Sequence, residues 1–216
     1  MKVFISRNLD QTSLLVTKAR EVGWTLNAVS LIHHLPTGAS IPDTHFDYIF
    51  FSSPTAVRQF YANYGLPTAS VCTLGPGTSA VLPIGATPHF QGEGTTSEVA
   101  AQYASFAQGM TTLFPIGNQS LQTIQQGLNE QAVLNFVCYE THANPKAVGA
   151  HDIYVFSSPS NVDSFLIDNE IASGASVIAL GEKTKKALKD ANIEAMISKD
   201  YMQEGILDTI FSIERS

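Results

Sequence analysis

Residues 48–60 read Tyr48-Ile49-Phe50-Phe51-Ser52-Ser53-Pro54-Thr55-Ala56-Val57-Arg58-Gln59-Phe60, and the pattern returns at 153–165 as Ile153-Tyr154-Val155-Phe156-Ser157-Ser158-Pro159-Ser160-Asn161-Val162-Asp163-Ser164-Phe165. Each stretch opens on bulky apolar side chains, the composition of a strand buried on both faces. It then turns at Ser-Ser-Pro, where a serine caps a helix and a proline occupies the first turn. A strand feeding a helix in this way is half of a βαβ unit, and βαβ units build parallel sheets. A second pair follows at 70–82 and 176–188, sharing Ser70/Ser176, Val71/Val177, Leu74/Leu180, Gly75/Gly181, Thr78/Thr184 and Leu82/Leu188. Both members read strand, Gly-x-x-Thr, helix. The expectation is an internal duplication into two α/β halves of roughly a hundred residues each. Residues 2–31 and 112–136 share only a strand–helix–Gly–strand layout.

Around these anchors the chain alternates short apolar runs with amphipathic stretches. The first strand is expected at 2–6, then a helix capped by Asp10 or Thr12 with Leu14, Leu15, Ala19 and Val22 at helical spacing, closed by Gly23. Strands are expected at 24–31, 48–51 and 70–74, with a helix at 55–64 and another after Gly75-Pro76-Gly77-Thr78. Strands at 111–115 and 132–140 flank an expected helix at 120–129.

Charge divides the chain in the same sense. Residues 37–145 hold one cation, Arg58, against Asp43, Asp47, Glu93, Glu98, Glu130 and Glu140. The other cations, Arg215 among them, lie before residue 37 or after 145. The two ends resemble each other more than the middle, which predicts two domains, one of them discontinuous in sequence. The 216 residues carry 12 Lys+Arg against 19 Asp+Glu, a formal charge of −7, which argues against nucleic acid as a partner. No apolar run reaches the roughly 18 residues that a membrane span needs, so no membrane partner is expected. The charged start, Met1-Lys2-Val3-Phe4-Ile5-Ser6-Arg7, argues against export. Cys72 and Cys138 both sit in apolar runs, as reduced buried thiols of a cytoplasmic protein would.

Both repeated turns place small polar residues and a helix N-terminus at the carboxyl end of a parallel strand, the edge where open α/β sheets bind ligands. Free N–H groups and the helix dipole favour an anion there. Four such turns suggest one polyanionic ligand held between two facing domains. Gly75-Pro76-Gly77-Thr78-Ser79 matches neither the dinucleotide fingerprint nor the phosphate loop. His33-His34 point to opposite faces of a strand and read as a linker or surface pair. No other histidine has metal-ligand spacing, so no metal is expected. No Gly-x-Ser-x-Gly elbow is present, and neither cysteine has a histidine near it in sequence.

The ordered set Phe51-Ser52-Ser53-Pro54, Leu74-Gly75-x-x-Thr78, Leu113-Phe114-Pro115-x-Gly117-Asn118, Val137-x-Tyr139-x-Thr141, Phe156-x-Ser158-Pro159-Ser160 and Leu180-Gly181-x-x-Thr184 resembles the uroporphyrinogen-III synthase family along the whole chain. The resemblance implies two flavodoxin-like parallel-sheet domains joined by a two-stranded linker ladder. Domain 1 would comprise 1–31 and 146–216, domain 2 residues 37–137, with linkers 32–36 and 138–145. It implies a lyase that cyclises hydroxymethylbilane to uroporphyrinogen III, inverting the fourth ring and losing water through an azafulvene cation and a spiro intermediate. No cofactor is implied. Tyr139 matches the tyrosine thought to help the hydroxyl leave. Arg7, Ser53, Thr78, Gly117, Asn118, Ser158 and Thr184 match positions expected to bind the substrate, which carries eight carboxylates. Two departures stand out: Asn118-Gln119-Ser120 where many relatives carry an arginine, and Glu182 where proline is common. Recognition in the middle would then lean on backbone N–H groups and Arg58. A monomer with transient contact to the upstream deaminase is the expectation. Two other classes stay open: a non-enzymatic two-domain anion-binding module, and a degenerate synthase-like scaffolding subunit.

Overall fold

A computed structural model describes residues 1–200 and 202–214. Tyr201, Arg215 and Ser216 lie outside the described residues, so the expected C-terminal cation Arg215 and the end of the 146–216 segment do too. The chain divides into two compact units, Met1–His33 with His142–Ser216, and His34–Thr141. We call them the terminal and the middle unit.

In chain order the elements are β1 (Lys2–Ile5), α1 (Leu14–Glu21), β2 (Thr25–Ala28), β3 (Ile32–Pro36), β4 (Tyr48–Phe51), α2 (Pro54–Tyr64) and β5 (Ser70–Thr73). There follow α3 (Pro76–Ser79), β6 (Phe90–Gln91), α4 (Thr96–Phe106), β7 (Thr112–Gly117), β8 (Val133–Ala143) and β9 (Ile153–Phe156). The last are α5 (Pro159–Asp168), β10 (Ser176–Ala179), α6 (Glu182–Asp190), β11 (Met196–Ile197) and α7 (Gln203–Glu214). The terminal unit's sheet has the order β11-β10-β9-β1-β2, every pair parallel. The middle unit's sheet runs β6-β5-β4-β7-β8 with parallel pairs, and β3 lies beyond β8 at its edge.

Alternation along each strand builds the layers. In β1, Val3 and Ile5 point into a cluster with Leu15 of α1 and Ile206 and Ile210 of α7. Phe4 points the other way, into Tyr154, Phe156, Phe165 of α5 and Leu188 of α6. The middle unit repeats the scheme: Ile49 and Phe51 pack on Val57 and Phe60 of α2, while Phe50 packs on Val99 and Tyr103 of α4. Phe60 and Phe165 are each buried, and each stabilises its unit by about 1.5–3 kcal/mol relative to exposure.

The structure corrects several local expectations. The first helix is capped by Ser13, whose hydroxyl accepts the Val16 N–H, and not by Asp10 or Thr12. Asp10 instead accepts the Thr12 N–H and hydroxyl in a turn of its own. The expected strand at 24–31 is ladder only over Thr25–Ala28, because its partner β1 ends at Ile5. The helix after Gly75 stops after four residues. Its turn runs on to Leu82 and meets Pro83, which has no N–H to continue it. No α-helix forms at 120–129: Ser120 Oγ takes the Gln122 N–H, Gln122 sits at φ 52, and only a 3₁₀ turn at Gln125–Gly127 follows. The strand–helix–Gly–strand layout shared by 2–31 and 112–136 therefore fails in its second member.

Candidate functional site

In the middle unit Ser53, Thr78 and Asn118 follow β4, β5 and β7, three adjacent parallel strands, and Gly117 is the last residue of β7. Ser53 caps α2, its Oγ accepting the Ala56 N–H at 3.1 Å. Tyr139 stands opposite Gly117 because β8 carries a bulge there: Ile116 pairs with Val137, but Gly117 pairs with Tyr139. Cys138 is the extra residue, and the shift brings Tyr139 onto the face of Phe136 and Phe60. The Tyr139 ring lies so close to Gly117 that a Cβ there would sit 2.6 Å from two ring carbons and 2.9 Å from the hydroxyl oxygen. At this position glycine is required by close approach.

The Tyr139 phenol is buried, and burial raises its pKa above the ordinary tyrosine value. A hydrogen bond with Ser53 opposes that rise and the nearby Cys138 adds to it. Ser53 Oγ accepts from Ala56 and still keeps its own hydrogen and a second lone pair for the phenol beside it. Asn118 ties the arrangement together, its N–H donating to Tyr139 O at 3.1 Å and its Oδ1 accepting the Thr141 N–H at 3.1 Å. Thr78 is buried in the short α3. Arg58 lies exposed on α2.

In the terminal unit Arg7, Ser158 and Thr184 follow β1, β9 and β10, again three adjacent parallel strands. Ser6 and Ser157 lock the first two strand ends: Ser157 N–H donates to Ser6 Oγ and Ser157 Oγ to Ser6 O, both at 2.8 Å. Ser158 caps α5 by accepting the Asn161 N–H at 3.3 Å. Arg7 comes next to this knot, and its Nε is buried with no hydrogen-bond partner. Burial lowers its pKa, yet guanidinium stays charged, so a partly buried cation stands at this strand end. Gly181 opens α6 without any side-chain cap, leaving its first N–H groups to a ligand or water.

Sequence reasoning set His34 aside as half of a linker pair. The structure puts its ring edge-on to Tyr139, with centroids 5.2 Å apart at 82°, and its Nδ1 3.1 Å from Thr141 Oγ1. The signal was the register of β3 against Tyr139-x-Thr141, which no local pattern contains. His33 stacks on His142. Among the described residues no group of three or more His, Cys, Asp or Glu is placed to hold a metal ion. Burial pushes the Cys72 thiol up to about 12 and Cys138 to about 11, so neither is a ready nucleophile.

Each unit thus sets hydroxyls and backbone N–H groups at the carboxyl ends of its own parallel strands, with the cation Arg7 in the terminal unit and the buried phenol of Tyr139 in the middle one, as in α/β proteins that bind a ligand at the sheet edge. The model of the family described as Uroporphyrinogen-III synthase HemD matches residues 13–208, and the chain belongs to the uroporphyrinogen-III synthase family. Its backbone is similar to that of uroporphyrinogen-III synthetase from Helicobacter pylori 26695, with a TM-score of 0.70 at 16% identity over 98% of this chain and 99% of that one. A mutant uroporphyrinogen III synthase from the extremely thermophilic bacterium Thermus thermophilus is similar over 100% of this chain and 99% of its own, with a TM-score of 0.58 at 14% identity. No curated protein matches the chain. At such identities the solved structures speak for the fold. The family match carries the activity, that of a cyclising lyase of haem and porphyrin biosynthesis. No helix among the described residues is long and apolar enough to cross a membrane.

Proposed function

We propose that this chain closes hydroxymethylbilane to uroporphyrinogen III with Tyr139 as the group that helps the terminal hydroxyl leave. The observation that carries the assignment is the buried Tyr139 phenol, held neutral by burial and oriented by Ser53 at the N-terminus of α2. The phenol proton passes to the departing hydroxyl, which leaves as water and generates the azafulvene cation. Attack by the last pyrrole ring passes through the spiro intermediate. Rearomatisation then releases one proton, which restores the phenol, so the net change is loss of one water. The polar edge formed by Asn118, Gly117 and the Tyr139 oxygen accompanies the cation without reorganisation.

Arg7, Ser158 and Thr184 receive substrate carboxylates in the terminal unit, and Ser53, Thr78, Gly117 and Asn118 receive them in the middle unit. The reading is supported by the unpaired Arg7 Nε and by the uncapped start of α6. Gly117 serves first by admitting the tyrosine ring. The two units would be the products of an internal duplication, joined by the 32–36 and 138–145 linkers as a two-stranded ladder. The same reading has the protein working as a cytoplasmic monomer, without a cofactor, taking substrate in transient contact with the upstream deaminase.

The test is a coupled cyclisation assay with hydroxymethylbilane generated in situ and porphyrin isomers separated after oxidation. Isomer III above the spontaneous isomer I background is expected, and Tyr139→Phe lowers its rate by roughly ten-fold with folding intact. Isomer I alone from folded protein would overturn the activity, and an unchanged rate in Tyr139→Phe would make Tyr139 a structural residue.

A further inference from the structure

We propose that His34 is a positioning residue for Tyr139, fixing the ring from which the proton is delivered. The inference rests on the reading of Tyr139 as the proton donor. Tyr139 is buried among apolar neighbours, and its ring touches groups of three distinct kinds. Gly117 lies against one part of the ring, and Ser53 hydrogen-bonds the hydroxyl. His34 meets the ring edge-on at 82°. Edge-to-face pairs are directional, because the positive rim of one ring seeks the negative face of the other, so the contact resists tilting as well as separation.

His34 is itself held. Its Nδ1 lies 3.1 Å from Thr141 Oγ1. Thr141 N–H donates to Asn118 Oδ1, and Asn118 N–H donates back to the Tyr139 carbonyl, each at 3.1 Å. The four residues therefore form a closed circuit: Tyr139 to Asn118 to Thr141 to His34 and back to the Tyr139 ring. Backbone bonds fix three of its members, so the histidine ring is the one part whose removal leaves the tyrosine with a vacant side. A phenol free to tilt away from Ser53 spends less time where the leaving hydroxyl sits, and small displacements of a proton donor are costly.

The effect belongs in kcat, since His34 would act through the reacting geometry and not through substrate affinity. The experiment measures kcat and KM for His34→Ala, His34→Phe, Tyr139→Phe and the His34→Ala/Tyr139→Phe double variant, with folding checked by thermal unfolding. His34→Ala is expected to lower kcat by about three- to ten-fold while KM stays within about two-fold. His34→Phe restores the ring edge and recovers most of the loss. In the Tyr139→Phe background, where no phenol remains to be positioned, His34→Ala has no further effect, a full coupling of the two sites. If His34→Ala unfolds, Thr141→Val takes its place, since it removes the hydroxyl at His34 Nδ1 and leaves the ring in the protein. An unchanged kcat in His34→Ala or its substitute, with a lowered one in Tyr139→Phe, overturns the inference and leaves Tyr139 as the donor. Equal losses from His34→Ala in both backgrounds overturn it too, because the histidine would then act by itself. No loss in Tyr139→Phe removes the donor and the inference together.

Discussion

The turns Ser52-Ser53-Pro54 and Ser157-Ser158-Pro159 have one sequence and nearly one backbone, with cap residues at φ −158, ψ 155 and φ −160, ψ 159. Both cap a helix of ten or eleven residues with proline in the first turn. What each turn is tied to differs. In the terminal unit Ser157 is bonded to Ser6 and Asn161 reaches Leu31 N–H, so the turn locks strand ends together beside a cation, Arg7. In the middle unit Ser53 reaches a phenol, and the one cation of that unit stands exposed on α2. On the proposed function the same scaffold carries a charge-matching edge in one unit and a proton-handling edge in the other. The motif fixes a geometry, and the neighbouring strand decides its chemistry.

The largest contrast between the units is in their thiols, since Cys72 and Cys138 both belong to the middle unit. Both are buried, and with Cys72 pushed up to about 12 its thiolate fraction at pH 8 is about one in ten thousand. Iodoacetamide at about pH 8 should leave the native protein unlabelled by mass and add two groups once it is unfolded. Labelling of the native protein would show the middle unit opening on its own. Next in size, Arg7→Ala should raise KM by about ten- to a hundred-fold with kcat within about two-fold, the loss of a charge-assisted contact in the ground state. An unchanged KM would reduce the terminal edge to a frame. Smallest is the difference between the two caps. Ser53→Ala and Ser158→Ala should each cost about 1 kcal/mol in denaturant unfolding. Only Ser53→Ala should also lower kcat, by about three- to five-fold, because only it loses a hydrogen bond to the phenol. Equal kcat values in the two variants would erase the distinction.

The parallel-sheet strands were legible because β4 and β9 are short apolar runs closed by capping serines, β5 and β10 run into Gly-x-x-Thr, and each has a near-copy elsewhere in the chain. The segment at 120–129 was misread because its composition suits a helix. Its backbone is claimed instead by side chains: Ser120 takes the Gln122 N–H, and the Gln122 and Gln125 amides pair with Asn135 of β8. Tyr139 could be picked out by resemblance, but its face could not, since counting by twos from Val133 ends on Val137 and the bulge then breaks the series. His34 was invisible for the same reason, as its role depends on which residue of β8 it meets.

The bulge makes the length of β8 a variable separate from its sequence. A chain lacking Cys138 would run from Val137 straight to Tyr139 and still set the tyrosine against Gly117. The residues after it would keep their places too, because Asn118 is tied both to Tyr139 O and to the Thr141 N–H. What would be lost is the Cys138 carbonyl, which accepts the Thr37 N–H at 3.3 Å and the Tyr64 hydroxyl at 3.2 Å. One inserted residue thus works as a bracket: it leaves the tyrosine's address against β7 unchanged and fastens β8 to the chain beyond β3 and to α2.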